Sequence, residues 1–360
     1  MIGSAHETYD PKDRVCHATR IQRFGTAAFS TSTSMITHQS STTDPLYSVI
    51  IAVFNDWEVL DRCLESLARQ ENAPSFEVIV VDDGSTEPTP ELIQRWQHHY
   101  PLTIERQPHG GISIARNRGA QISRGSILFF VDADSRLQTN CLAALNSTVT
   151  SSPQHNCFQL HLVGDGVGLV GRAEQLRLQT IQNHMLQPNS CIRYLNTAGF
   201  AIRRSRVDTQ RGVFDPAALR AEDTLLLSDL MQAGELPLFV PNAIVQHATP
   251  LSLMESLGKS IRSAYLEGRT FEIIASKGIR IRVSHRERLS MLSYMWKSSG
   301  QHSIGRSAWF VVVARQTLQR IISLIYHVLV LVRRTLLSRS RENANSKPSA
   351  NTNSPKSDST

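Results

Sequence analysis

The stretch Ser126-Ile127-Leu128-Phe129-Phe130-Val131-Asp132-Ala133-Asp134 decides the fold. Its first six residues are an apolar run that reads as a buried strand. Two carboxylates, one residue apart, close it. They cannot follow the strand into the core, because burying an unpaired carboxylate is strongly disfavoured. They therefore belong at the carboxyl edge of a sheet, where open α/β folds place their ligands. Two oxygen donors at such an edge suit a hard cation, Mg2+ or Mn2+, of the kind that carries a nucleotide's phosphates.

The flanking sequence supplies the rest of that sheet. Residues 48–54 form a β-rich apolar run, followed by a turn at Asn55-Asp56 and a helical pattern over 57–70. A second buried strand, 76–81, ends at Asp82-Asp83-Gly84-Ser85. A helix over 90–99, a short strand over 102–105 and a helix opening at Gly110-Gly111 follow. Strand and helix alternate, which predicts an α/β fold: a mostly parallel sheet flanked by helices on both faces. Downstream the pattern predicts strands over 157–163, 197–202 and 237–247, and helices over 172–185 and 222–233. Residues 251–337 read as a helical C-terminal extension, with a basic stretch at Lys277, Arg280, Arg282, Arg286 and Arg288.

The 360 residues carry 38 Lys and Arg against 31 Asp and Glu, a formal net charge of +7. That balance fits an anionic partner, although much of the excess lies in the C-terminal third. Five scattered cysteines without a CxxC pair argue for a reducing compartment and against a disulfide framework or a zinc site. Residues 1–44, rich in Ser, Thr and His with no apolar h-region, read as a disordered leader. Residues 338–360 read as a disordered tail on composition. The apolar segment 308–334 is interrupted by Arg315, Gln316, Gln319, Arg320, Ser323 and His327 at helical spacing. It predicts an amphipathic helix, docked on the protein or lying in a membrane interface, rather than a spanning one.

Several candidate site residues follow. Asp82 and Asp83, at a strand end, could accept hydrogen bonds from a base or ribose. Gly110 and Gly111 open a helix that carries Arg116 and Arg118, and a helix N-terminus with cations makes a phosphate site. Asp132 and Asp134 suit a cation. Glu222-Asp223 could start a helix by favouring its dipole, or supply a general base. His247 would ligate a metal only if the fold brought it to Asp134. The run Gly166-Val167-Gly168-Leu169-Val170-Gly171 matches a dinucleotide fingerprint, but no acid follows between Glu174 and Asp208 to hold a ribose. No phosphate-binding P-loop run exists.

The runs Val80-Val81-Asp82-Asp83-Gly84-Ser85-Thr86, Ala115-Arg116-Asn117-Arg118-Gly119, Asp132-Ala133-Asp134 and Glu222-Asp223-Thr224 occur in this order behind the first strand. Together they resemble family 2 glycosyltransferases of the GT-A fold, over roughly 46–250. The resemblance implies a nucleotide-diphosphate sugar donor, UDP- or GDP-linked, a divalent metal, and inversion by direct displacement onto a hydroxyl of a saccharide or lipid-linked acceptor. It implies that Asp82 and Asp83 contact base and ribose, with Arg116 also on the donor. Asp132 would lie near the ribose or sugar, Asp134 and His247 on the metal, and Asp223 would be the base. It implies no nucleic-acid partner, and a cytoplasmic protein, peripheral at the membrane if 308–334 touches it. Ala221 stands where the family usually has Gly, Asp229 where Arg is common, and Leu225 where an acid often stands. The QxxRW motif of processive synthases is absent, so a single transfer is expected. The competing readings are a non-catalytic nucleotide-sugar-binding relative and a nucleotidyltransferase. The latter expects a basic Gly-rich loop where Phe54-Asn55-Asp56-Trp57 stands.

Overall fold

The computed structural model describes residues 44–86, 91–247, 252–276, 285–300 and 304–345. The leader over 1–43 and the tail over 346–360 lie outside the described residues. So do Lys277, Arg280 and Arg282 of the basic stretch. The N-terminal half runs β1 (Tyr47–Val53), α1 (Trp57–Ala68), β2 (Phe76–Asp82), α2 (Leu92–Trp96), β3 (Leu102–Arg106), α3 (Ile112–Ile122) and β4 (Ile127–Asp132). Next come β5 (Ser135–Leu137), α4 (Cys141–Ser151), β6 (Cys157–Gly164), α5 (Gly168–Met185), β7 (Phe200–Arg203), α6 (Glu222–Gln232) and β8 (Leu238–His247). Three helices end the described chain: α7 (Leu253–Ser276), α8 (His285–Ser298) and α9 (Arg306–Asn345).

The strands form one sheet in the order β3-β2-β1-β4-β7-β6-β8-β5. Its first four strands are parallel, as alternation with helices predicts. The second half is mixed rather than mostly parallel: β7 pairs antiparallel with both β4 and β6, and β5 pairs antiparallel with β8. The Phe200-Ala201-Ile202 run of β7 is apolar, which shows that it is buried but not which way it runs.

Both faces of the parallel half are covered, which is why β1 reads as a continuous apolar run. Val49, Ile51 and Val53 pack into a core with Leu60, Leu64 and Leu67 of α1. Ile50 faces the opposite core, with Phe130, Phe200, Phe214 and Leu226. Gly119 allows α3 to lie close on that face: a Cβ there would stand 2.5 Å from Cγ2 of Ile50. Parallel register then brings two strand ends level. Val53 pairs with Asp82 on one side of β1, and Ala52 pairs with Asp132 on the other.

The glycine-rich run over 166–171 forms the start of α5, with Gly168 as its first residue. The described cysteines, Cys63, Cys141, Cys157 and Cys191, are buried free thiols.

Candidate active site

The carboxyl edge of the sheet opens into a cleft of about 720 Å3. Asp132, Asp134, Arg116, Asp223 and His247 all line it. Asp132 ends β4 and Asp134 begins the reversal into β5. The short β5 pairs antiparallel with β8 and sets Ser135 opposite His247, which brings the imidazole to the acids. Nε2 of His247 lies 3.3 Å from Oδ1 of Asp134. One ligand atom from each of Asp132, Asp134 and His247 lies within 4.8 Å of the others. The triple is partly buried, and Nδ1 of His247 is buried without a hydrogen-bond partner among the described residues.

Arg116 departs from its expected place as a free cation at the helix start. It is 1% exposed, and its guanidinium bridges two acids from distant segments, Asp132 and Glu222. Burial opposes its charge, but Asp132 and Glu222 outweigh that and hold the guanidinium above its ordinary value. Burial likewise pushes the Asp132 carboxyl up, yet Arg116 and then His247 bring it below the usual range. Asp134 goes the other way: burial raises it against the pull of His247, and Asp132 adds to the rise. The two acids of one short motif are thus held in opposite electrostatic environments.

Asp82 and Asp83 do not line the cleft. Asp82 is fully buried at the end of β2; its Oδ1 accepts from the Ser85 backbone N–H at 2.8 Å, and Oδ2 lies 3.5 Å from Nη1 of Arg106. Asp83 accepts backbone N–H bonds from Gly110 at 2.9 Å and Gly111 at 2.8 Å, plus Nε2 of Gln107 at 2.7 Å. The N–H groups of Gly110 and the N-cap Gly111, just ahead of the helix start that the sequence suggested for a phosphate, are met by the protein's own carboxylate. That partner lies 27 positions earlier, so no local pattern announces it.

Asp223 stands in the first turn of α6 beside Glu222. Its Oδ1 accepts from the Thr224 backbone N–H at 2.6 Å. Burial, with Glu222 adding to it, pushes its carboxyl up to about 7. Ala221, just before it, holds the left-handed conformation with φ 57° and ψ 34°, a region costly for a residue with a Cβ.

The cleft also holds groups the sequence did not single out. Glu174 and Arg177 of α5 pair, and Nη1 of Arg315 approaches Glu174 at 3.8 Å. Burial opposes the Glu174 charge, but Arg177 outweighs it and the carboxyl is held down to about 2. Tyr194 accepts from Nδ2 of Asn196 at 3.0 Å, and burial pushes its hydroxyl up. Arg220 and Lys259 line the cleft and are in no ion pair among the described residues. Residue spacing could have flagged the α7 contribution: Ser256, Lys259, Ser260, Ser263 and Glu267 recur at one-turn intervals and share the face that lines the cleft.

A sheet edge that gathers acids, an imidazole and cations in one cleft makes a candidate active site of an α/β protein. Residues 48–208 match the family model Glycosyl transferase family 2. The match ends before Glu222, Asp223 and His247. Among curated relatives, the uncharacterized glycosyltransferase YibD of Escherichia coli is 38% identical over 88 residues, covering 24% of this chain and 25% of that protein. The glycosyltransferase AglE of Haloferax volcanii is 34% identical over 135 residues, covering 36% of this chain and 40% of that protein. The chain thus spans well under two thirds of these relatives. A solved structure, the mannosyltransferase PcManGT from Pyrobaculum calidifontis in complex with GDP-Man and Mn2+, superposes with a TM-score of 0.49. It is 19% identical and covers 82% of this chain and 81% of that one.

Proposed function

We propose that this protein is an inverting glycosyltransferase that moves a sugar from a nucleotide-diphosphate donor, UDP- or GDP-linked, to a hydroxyl of a saccharide or lipid-linked acceptor. The observation that carries the reading is the convergence of Asp132, Asp134 and His247 with Asp223 in one cleft. Two carboxylates and an imidazole are a donor set that suits a divalent cation such as Mn2+ or Mg2+. Asp134 and His247 would hold it, with Asp132 offering a further carboxylate beside them. A bound cation would neutralise charge growing on the leaving diphosphate.

The chain's own groups do the remaining work. Arg116 fixes Asp132 in orientation and keeps it ionised. Arg220 and Lys259 offer positive charge to the departing phosphates in a partly enclosed cleft, where such charge counts more than in water. Asp223, poised near neutral pH, takes the proton from the acceptor hydroxyl as that oxygen attacks the anomeric carbon. Attack from the face opposite the leaving group inverts the centre. The donor's base and ribose then meet the cleft wall near Asp56 and Ala52, at the ends of β1 and its loop. Asp82 and Asp83 support that wall from behind.

The test is release of nucleoside diphosphate from a panel of UDP- and GDP-sugars, with and without Mn2+, for the native chain and for Asp134→Ala. Metal-dependent turnover in the native chain, lost in the variant, is expected. Absence of metal-dependent turnover from both would sink the reading.

A further inference from the structure

Three of the polar residues that interrupt α9 point inward, while Arg320 is exposed. Arg315, Gln316 and Gln319 line the cleft, Nε of Arg315 donates to Oγ of Ser260 at 3.2 Å, and Val312 is buried. Gly268 of α7 lets the helix seat closely, since a Cβ there would stand 2.5 Å from the Tyr326 ring. The opposite face is apolar and bare. Ile321, Leu324, Ile325, Val328 and Val332 recur at intervals of three, four and seven and range from 50% to 66% exposed, with Phe310 exposed near the start of the helix. The first part of α9 packs as a surface helix does, with Ala308 and Val312 in an apolar cluster, but beyond Arg320 the apolar face is turned out. A contiguous exposed stripe of this kind marks a surface that meets something else.

Charge and aromatic placement say what it meets. At the start of α9, Trp296, Trp309 and Phe310 form an edge-to-face cluster, with ring centroids 5.2 and 5.1 Å apart. The guanidinium of Arg306 lies 4.6 Å over the Trp296 ring. Exposed Leu289 and Lys297 stand on α8 nearby. At the far end the helix continues through Arg333, Arg334, Arg339 and Arg341, with Glu342 the one acid there. The exposed indole of Trp296, an apolar stripe and a sequence with arginines at both ends form the pattern of a helix lying in a lipid headgroup layer. The window Arg306–Tyr326 is long and apolar enough to cross a membrane, but its polar face is seated on the cleft, so it lies along the surface.

We propose that the outward face of α9, with the Trp296–Trp309–Phe310 cluster, binds the surface of an anionic lipid bilayer. The helix would then present one face to lipid and the other to the cleft. This inference does not rest on the reaction assigned to the cleft.

The test is sedimentation of the full chain with phosphatidylglycerol-containing vesicles and with phosphatidylcholine vesicles. The native chain is expected to partition at least tenfold more strongly onto the anionic vesicles. The double variant Leu324→Glu, Val328→Glu should lose at least tenfold of that partition while keeping its melting temperature. If it melts lower, the milder pair Ile321→Ser, Ile325→Ser replaces it. Unchanged partition by the folded variant overturns the proposal, as does failure of the native chain to bind either vesicle. Self-association of the native chain without lipid, abolished by the same variant, would assign the face to a second copy and also overturn it.

Discussion

Arg116 of α3 donates to Glu222 of α6 across 106 positions of sequence, and its other terminal nitrogen holds Asp132. One buried cation thus ties the acid that ends β4 to the acid that opens α6. The two acid motifs, far apart in the chain, are locked into one cleft.

Removing that cation should cost stability as well as activity. The guanidinium is nearly fully buried and Glu222 is 7% exposed at its side chain. Breaking a buried pair leaves an uncompensated charge, at a cost of roughly 3–5 kcal/mol. Urea unfolding of Arg116→Met should show a loss in that range. A loss below about 1 kcal/mol would show that the bridge is not what holds Glu222.

The second prediction concerns proton transfer. Asp223 must be ionised to accept a proton, and burial beside Glu222 pushes its carboxyl to about 7. Transfer rates at saturating metal should therefore rise with pH through about 7 and level off above it. Asp223→Asn should lose transfer yet keep nucleotide binding, read by calorimetry. Equal loss of both would remove Asp223 from the role of base.

The same group predicts a stability trend of opposite sense. A carboxyl raised in the folded state binds more protons there than in the unfolded chain between about 4 and about 7. Stability should accordingly fall as pH rises through that window. Asp223→Asn should melt above the native protein at pH 8, the gap narrowing towards pH 4. A gap independent of pH would contradict the burial of this acid.

Metal binding offers a fourth test. Asp134→Ala and His247→Ala should each weaken the Mn2+-dependent rise in melting temperature by an order of magnitude or more in apparent affinity. Asp82→Asn should leave it unchanged, since Asp82 does not line the cleft. Titration of all three by thermal shift distinguishes ligands from bystanders.

Ala221 provides a fifth. Its left-handed backbone costs on the order of 1–2 kcal/mol for a residue with a Cβ, part of which glycine returns as unfolded-chain entropy. Ala221→Gly should therefore stabilise by under about 1 kcal/mol. Ala221→Val, whose branched Cβ suits this region least, should destabilise. Identical melting of all three proteins would mean that the turn relaxes freely.

The sequence alone determined the alternation of strands and helices and the sheet edge where Asp132 and Asp134 stand, but not that Glu174, Arg177, Tyr194, Arg220 and Lys259 line the cleft. The first two are legible because apolar period and strand-end acids are local properties of the chain. Tertiary structure decided what those acids do. Asp83 reads as a ligand contact, and in the fold its carboxylate holds the backbone of Gly110 and Gly111 ahead of α3. Arg116 reads as a phosphate ligand, yet it is held between Asp132 and Glu222. His247 could be a stray histidine until β5 pairs with β8 and sets it beside Asp134. The polar side of α9 is visible in the sequence, but only its packing shows that side turned to the cleft and the apolar side turned out. Sequence specifies which groups want partners; the partner chosen depends on strand register and helix packing over distances that no local pattern encodes.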